Sequence, residues 1–137
     1  MSLKGLTVRS NRTQLSGAVN SAGGTLCVYN CSFSHNTSDN EGAAIRVTIP
    51  AKGKPSGSTY IKDSLFKSNI STSYGGAITI KAPRNAVGDY SSKVCITGCN
   101  ISNSTSCIGG GLYVNSVEVT VDNTLFVGNV ARTLLVM

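Results

Sequence analysis

Five cysteines and a single histidine are the side chains of this chain best suited to metal or nucleophilic chemistry. Cys27 and Cys31, and again Cys95 and Cys99, form Cys-x-x-x-Cys pairs, and Cys107 stands apart. Zinc sites use closer cysteine spacing and recruit further ligands, and here His35 is the sole histidine. No serine or cysteine nucleophile with a positioned acid accompanies His35, so a catalytic triad is not expected. The acids are Asp39, Glu41, Asp63, Asp89, Glu118 and Asp122. Cleavage of a polysaccharide needs clustered carboxylates, either as an acid–base pair or around calcium. Only Asp39 and Glu41 share a turn, and no second pair stacks beside them. Gly109-Gly110-Gly111 lacks the Gly-Lys-Ser/Thr that would make it a phosphate loop. The residues predict no enzyme, no metal and no cofactor.

The elements that must carry these residues are strands. Hydrophobic residues make up 40% of the 137 and charged residues only 13%, which excludes a disordered or coiled-coil chain. β-Branched and turn-forming residues dominate, and helix formers dominate no long stretch. No apolar run reaches the roughly 18 residues of a membrane-spanning helix. The first residues, Met1 to Gly5, hold no apolar core of a signal peptide.

Two short patterns repeat. One is apolar-x-x-Asn: Val8 to Asn11, Phe33 to Asn36, Phe66 to Asn69 and Phe126 to Asn129, with a degenerate copy from Ile101 to Ser104. The other is three small residues and an apolar one: Ser16 to Val19, Gly42 to Ile45, Gly75 to Ile78 and Gly109 to Leu112. Phe33 precedes Ala44, and Phe66 precedes Ala77, by 11 residues; Val8 precedes Ala18, and Ile101 precedes Gly111, by 10. A β-like run ending in Asn30, Asp63, Gly98 or Asn123 comes before each Phe/Ile-x-x-Asn-like segment from Phe33 onward. Those residue types tolerate a left-handed backbone and can bend the chain in one step.

Each unit therefore reads strand, one-residue corner, strand, turn, strand, loop. That unit predicts an all-β, right-handed parallel β-helix of about four to five coils with three short strands per coil. Residues 1–137 read as one repeat domain, a fragment of a longer solenoid whose further coils would stack on its C-terminal face. Coil lengths differ (25 residues from Val8 to Phe33, 33 on to Phe66, 35 on to Ile101, 25 on to Phe126), and the extra residues fall after the small-residue strand. Alternation places Val28, Ile61, Ile96 and Val121 inward, with Phe33, Phe66, Ile101 and Phe126 as a second inward row. Asn11, Asn36, Asn69 and Asn129 should form an internal amide ladder, each bonded to its like about 4.8 Å away. Cys27 and Cys95 would lie two coils apart, about 9.6 Å by strand spacing, beyond disulfide reach. Cys31 and Cys99 read as core thiols, since Ser64 and Thr124 align with them. Three of six sequons, those at Asn11, Asn36 and Asn69, coincide with the ladder.

These tetrapeptides resemble the repeats of the chlamydial polymorphic membrane proteins. Gly75-Gly76-Ala77-Ile78 and Phe66-Lys67-Ser68-Asn69 match the two repeat motifs in full, and Phe33 to Asn36 and Phe126 to Asn129 match the second. Val8, Ile101, Ser104, Gly42 and Leu112 mark degenerate copies. The resemblance implies a β-helical passenger of an autotransporter, exposed at the cell surface and adhering to host cells. It implies an adhesion motif at Phe33, Asn36, Phe66, Asn69, Gly75, Gly76, Ala77, Ile78, Phe126 and Asn129. The alternative, that these residues set the coil geometry while loops do any binding, is the stronger reading of the residues themselves.

Net charge is +6. Lys52, Lys54, Lys81, Arg84 and Lys93 fall on or beside the two variable loops and could form a cationic edge for acidic glycans. Solvated loop charge is the plainer alternative. Exposed aromatic platforms are too few for nucleic acid. With the extracellular or cell-surface location that the resemblance implies, the chain is expected to be a non-enzymatic, adhesin-like display scaffold that meets a host surface or acidic glycan, with no nucleic-acid partner and no direct membrane insertion; a polysaccharide lyase or hydrolase is the least favoured alternative. A ligand-free spacer or assembly module is the alternative.

Overall fold

The computed structural model describes residues 1–15, 17–51, 57–83 and 92–132. Every pairing between their strands is parallel and joins counterparts one coil apart, as a parallel β-helix requires. The first sheet stacks Ser2–Lys4, Leu26–Tyr29, Thr59–Lys62, Val94–Thr97 and Thr120–Asp122. The second stacks Thr7–Arg9, Ser32–Ser34, Leu65–Lys67, Asn100–Ser102 and Leu125–Val127. The fourth stacks Val19–Ala22, Ile45–Thr48, Ile78–Lys81 and Leu112–Asn115. These are the three expected strands of each coil. Between the second and fourth lies a narrow third sheet of two-residue strands, such as Thr37–Ser38 and Ile70–Ser71, directly after the ladder position.

Single left-handed residues make the corners. Between the first and second sheets they are Gly5, Asn30, Asp63, Gly98 and Asn123, with φ of 64°, 50°, 49°, 66° and 48°. A second corner, at Ser10, His35, Ser68, Asn103 and Gly128, has the same conformation. His35 is therefore a turn residue, exposed at the rim. Gly75, with φ of 58°, forms a third kind of corner; a Cβ there would collide with the carbonyl oxygen of Ile78, which only glycine avoids.

The core is built from stacked rows. Val28, Ile61 and Ile96 are in register and fully buried. So are Phe33, Phe66 and Ile101, the two rings stacking at 5.1 Å and 3° between planes. Burial of each such side chain stabilises by about 1.5–3 kcal/mol. Ala44 and Ala77 are small because the cross-section is narrow: at the equivalent Gly111, a Cβ would already sit 3.0 Å from Asn129 Cγ and Ile101 Cγ2.

The amide ladder is present. Asn36 Nδ2 donates to Asn69 Oδ1 at 3.0 Å, and Asn11 Nδ2 donates to Asn36 Oδ1 at 3.2 Å. The same Oδ1 atoms accept the backbone N–H of the preceding ladder residue. Ser104 holds the fourth rung with its hydroxyl, accepting from Asn69 N at 3.3 Å, and Asn129 resumes the row by accepting from Ser104 N at 3.0 Å. The buried amides of Asn36 and Asn69 thus replace water with partners one coil away. A second polar row marks the first corner: Cys31 N donates to Ser64 Oγ at 3.1 Å and Cys99 N to Thr124 Oγ1 at 3.3 Å.

Candidate functional site

The outward face of the fourth sheet, with the corner before it, forms a grid three coils deep. Alternation turns Arg46, Thr79 and Tyr113 outward in one register row and Thr48, Lys81 and Asn115 in the next. A third row, Glu41, Tyr74 and Ile108, stands at the corner, each joined to its neighbour by a parallel bridge. The left-handed glycines Gly42, Gly75 and Gly109 follow these residues and turn the chain into the fourth sheet.

Glu41 is the focus of the grid. Its side chain is only 7% exposed, a costly position for a carboxylate that lacks a partner. Lys81 Nζ, from the next coil, donates to Oε1 at 2.7 Å. Arg46 Nε, from its own coil, lies 3.1 Å from Oε2 but off the line of a hydrogen bond. One carboxylate thus faces two cations, and the cluster carries one surplus positive charge. Beside it the rings of Tyr74 and Tyr113 lie 4.6 Å apart, tilted by 34°. Under them Thr79, fully buried, donates its hydroxyl to Tyr74 O at 3.0 Å. Asn115 Nδ2 donates to the Tyr113 hydroxyl at 2.9 Å. Of these residues, Glu41, Tyr74, Lys81, Tyr113 and Asn115 border a depression of about 230 Å³ that also reaches Thr48, Ala82 and Pro83.

The residues of the tetrapeptide motifs lie elsewhere. Phe33, Phe66, Asn36, Asn69, Ala77 and Ile78 are fully buried, and Gly75 and Gly76 are buried with them. Phe126 and Asn129 occupy the same rows in the last coil, where Phe126 is 43% exposed and Asn129 partly so. Among the cationic residues, Lys81 belongs to the grid, whereas Lys93 is exposed at the entry to the first sheet and borders a different depression with Glu118. The loop positions Lys52, Lys54 and Arg84, and Ser16 of the first small-residue motif, lie outside the described residues.

Cys27, Tyr60 and Cys95 are successive register partners, so a tyrosine separates the two outer cysteines. All five cysteines are free thiols. Cys31 and Cys99 are buried, and burial raises the Cys99 thiol above its ordinary value. Among the described residues no three metal-ligating side chains converge, and no helix is long and apolar enough to cross a membrane.

The grid was not legible as a site in the sequence. Glu41 read as half of an acidic turn with Asp39, because its cationic partners depend on coil register. The signal was the shared step, Glu41 to Tyr74 and Arg46 to Thr79, once the coils are aligned.

No match was found among curated proteins or among solved structures. The family model of the Chlamydia polymorphic membrane protein repeat matches residues 30–48 and 63–81. Each match opens on a first-corner residue, Asn30 or Asp63, and runs through the ladder asparagine into the fourth sheet, and so covers most of one coil. Two stretches of the chain are thus similar to the Chlamydia polymorphic membrane protein repeat, and they stack on each other as adjacent coils of a parallel β-helix.

Proposed function

We propose that the chain is a segment of a surface-exposed, adhesin-like passenger, a non-enzymatic scaffold that displays a binding face outside the cell. The observation that carries this reading is the match of two adjacent coils to the polymorphic membrane protein repeat. Burial of Phe33, Asn36, Phe66, Asn69, Ala77 and Ile78 supports a role for them in coil geometry, with contact to a partner made by outward residues. The exposed inward rows of the last coil, at Val121 and Phe126, offer a stacking face for further coils.

The test is attachment of protein-coated beads to cultured epithelial cells, compared with beads carrying an unrelated β-helix. Attachment well above that control is expected. Equal counts would overturn adhesion and leave a spacer that only sets distance from the cell.

A further inference from the structure

We propose that the depression on the fourth sheet binds one carboxylated sugar residue of an acidic glycan, which deepens the adhesive reading and rests on it for its setting. Its volume, about 230 Å³, falls below the roughly 300–1,000 Å³ of sites for drug-sized ligands and suits a single ring within a longer chain. Its lining combines an aromatic pair, Tyr74 and Tyr113, with the Glu41–Lys81 ion pair and the amide of Asn115. Aromatic rings offer apolar contact to the carbon-bound face of a sugar, while fixed polar groups orient its hydroxyls.

Charge selects the class of sugar. Glu41 is already engaged by Lys81 at 2.7 Å and Arg46 at 3.1 Å, so a cationic ligand would have to displace one of them. Arg46, held against Glu41 just outside the lining, leaves the cluster one surplus positive charge, which favours a carboxylate instead. Lys81 Nζ donates once to Glu41 and keeps two further N–H groups for it. Glu41 in turn fixes the ammonium, so little side-chain freedom is lost on binding. The net charge of +6 adds a favourable long-range field for a polyanion.

The site spans three coils. Glu41 comes from one, Tyr74 and Lys81 from the next, and Tyr113 and Asn115 from the third. It exists only where this sequence of residues meets in register, so a β-helix alone does not confer it.

Titration calorimetry with a hyaluronan tetrasaccharide, which carries carboxylates and no sulfate, tests this. Binding is expected, with at least a tenfold excess over neutral chitotetraose and weakening as salt rises. Tyr113→Ala and Lys81→Gln should each lower affinity about tenfold. Asn115→Asp, at a half-exposed position where loss of fold is not expected, should lower it at least as much by removing the surplus charge. Equal binding of the neutral sugar, no binding at all, or wild-type affinity in the folded Asn115→Asp and Tyr113→Ala variants would overturn the site. Bead attachment that persists without tetrasaccharide binding would sink the sugar site alone. Tetrasaccharide binding without bead attachment would sink adhesion alone.

Discussion

The central coils and the last coil repeat one pattern and bury it differently. Val28, Ile61 and Ile96 are fully buried, while Val121, next in the same row, is 42% exposed. Phe33, Phe66 and Ile101 are likewise buried, and Phe126 is 43% exposed. Apolar character and strand register do not change along these rows. What changes is whether described coils lie on both sides. Burial here belongs to the stack, since one coil alone covers neither of its faces. The identical motif therefore has a different energetic weight at each end of its row.

The ring stack is where that contrast should be largest. Phe66→Ala opens a cavity between Phe33 and Ile101 and should cost about 3–5 kcal/mol, read as a lower urea midpoint. Phe126→Ala should cost about 1 kcal/mol or less, because water already reaches the ring. Equal losses would break the comparison. The amide ladder should show the next effect. Asn69→Ala removes the acceptor of Asn36 N, one of the two acceptors of Asn36 Nδ2 and the side-chain donor to Phe33 O and should cost about 1–3 kcal/mol, whereas Asn11→Ala, at the exposed end, should stay within about 0.5 kcal/mol.

The smallest effect concerns the thiols. The Cys99 pKa is raised in the folded state by burial, so below the ordinary thiol value both states hold the proton and nothing is lost. Above it the unfolded chain releases the proton first, and stability should decline as pH climbs toward the folded value. A urea series at rising pH should show this slope, and Cys99→Ser should flatten it. Half-buried Cys27 and Cys95 should react with a maleimide well before Cys99 does.

Much of the architecture was legible because the repeat writes it several times. Asn30, Asp63, Gly98 and Asn123 share a residue class that permits a left-handed backbone, so the first corner could be read directly. The second corner, at Ser10, His35 and Ser68, was read only as a turn and not as a left-handed residue, since no one residue class repeats there. The ladder itself was legible from Asn36 and Asn69. The role of Ser104, which fills a rung with a hydroxyl, was not. The grid was hidden for another reason. Glu41, Tyr74 and Ile108 share a row but no chemistry, so no repeated residue type announces that they touch.

The ladder has a consequence for how the chain finds its structure. Parallel strands of similar sequence can slide past one another by two residues and still keep apolar side chains inward. A slide of that kind would carry the Asn69 amide away from both Asn36 and Phe33 O and break its side-chain bonds in a dry interior. Backbone pairing tolerates such an error, but the buried amides reject it. Asn36 and Asn69 thus act as a proofreading device, keeping one alignment of the coils and discarding its near neighbours, and so keep Glu41 within reach of a lysine 40 residues further along the chain.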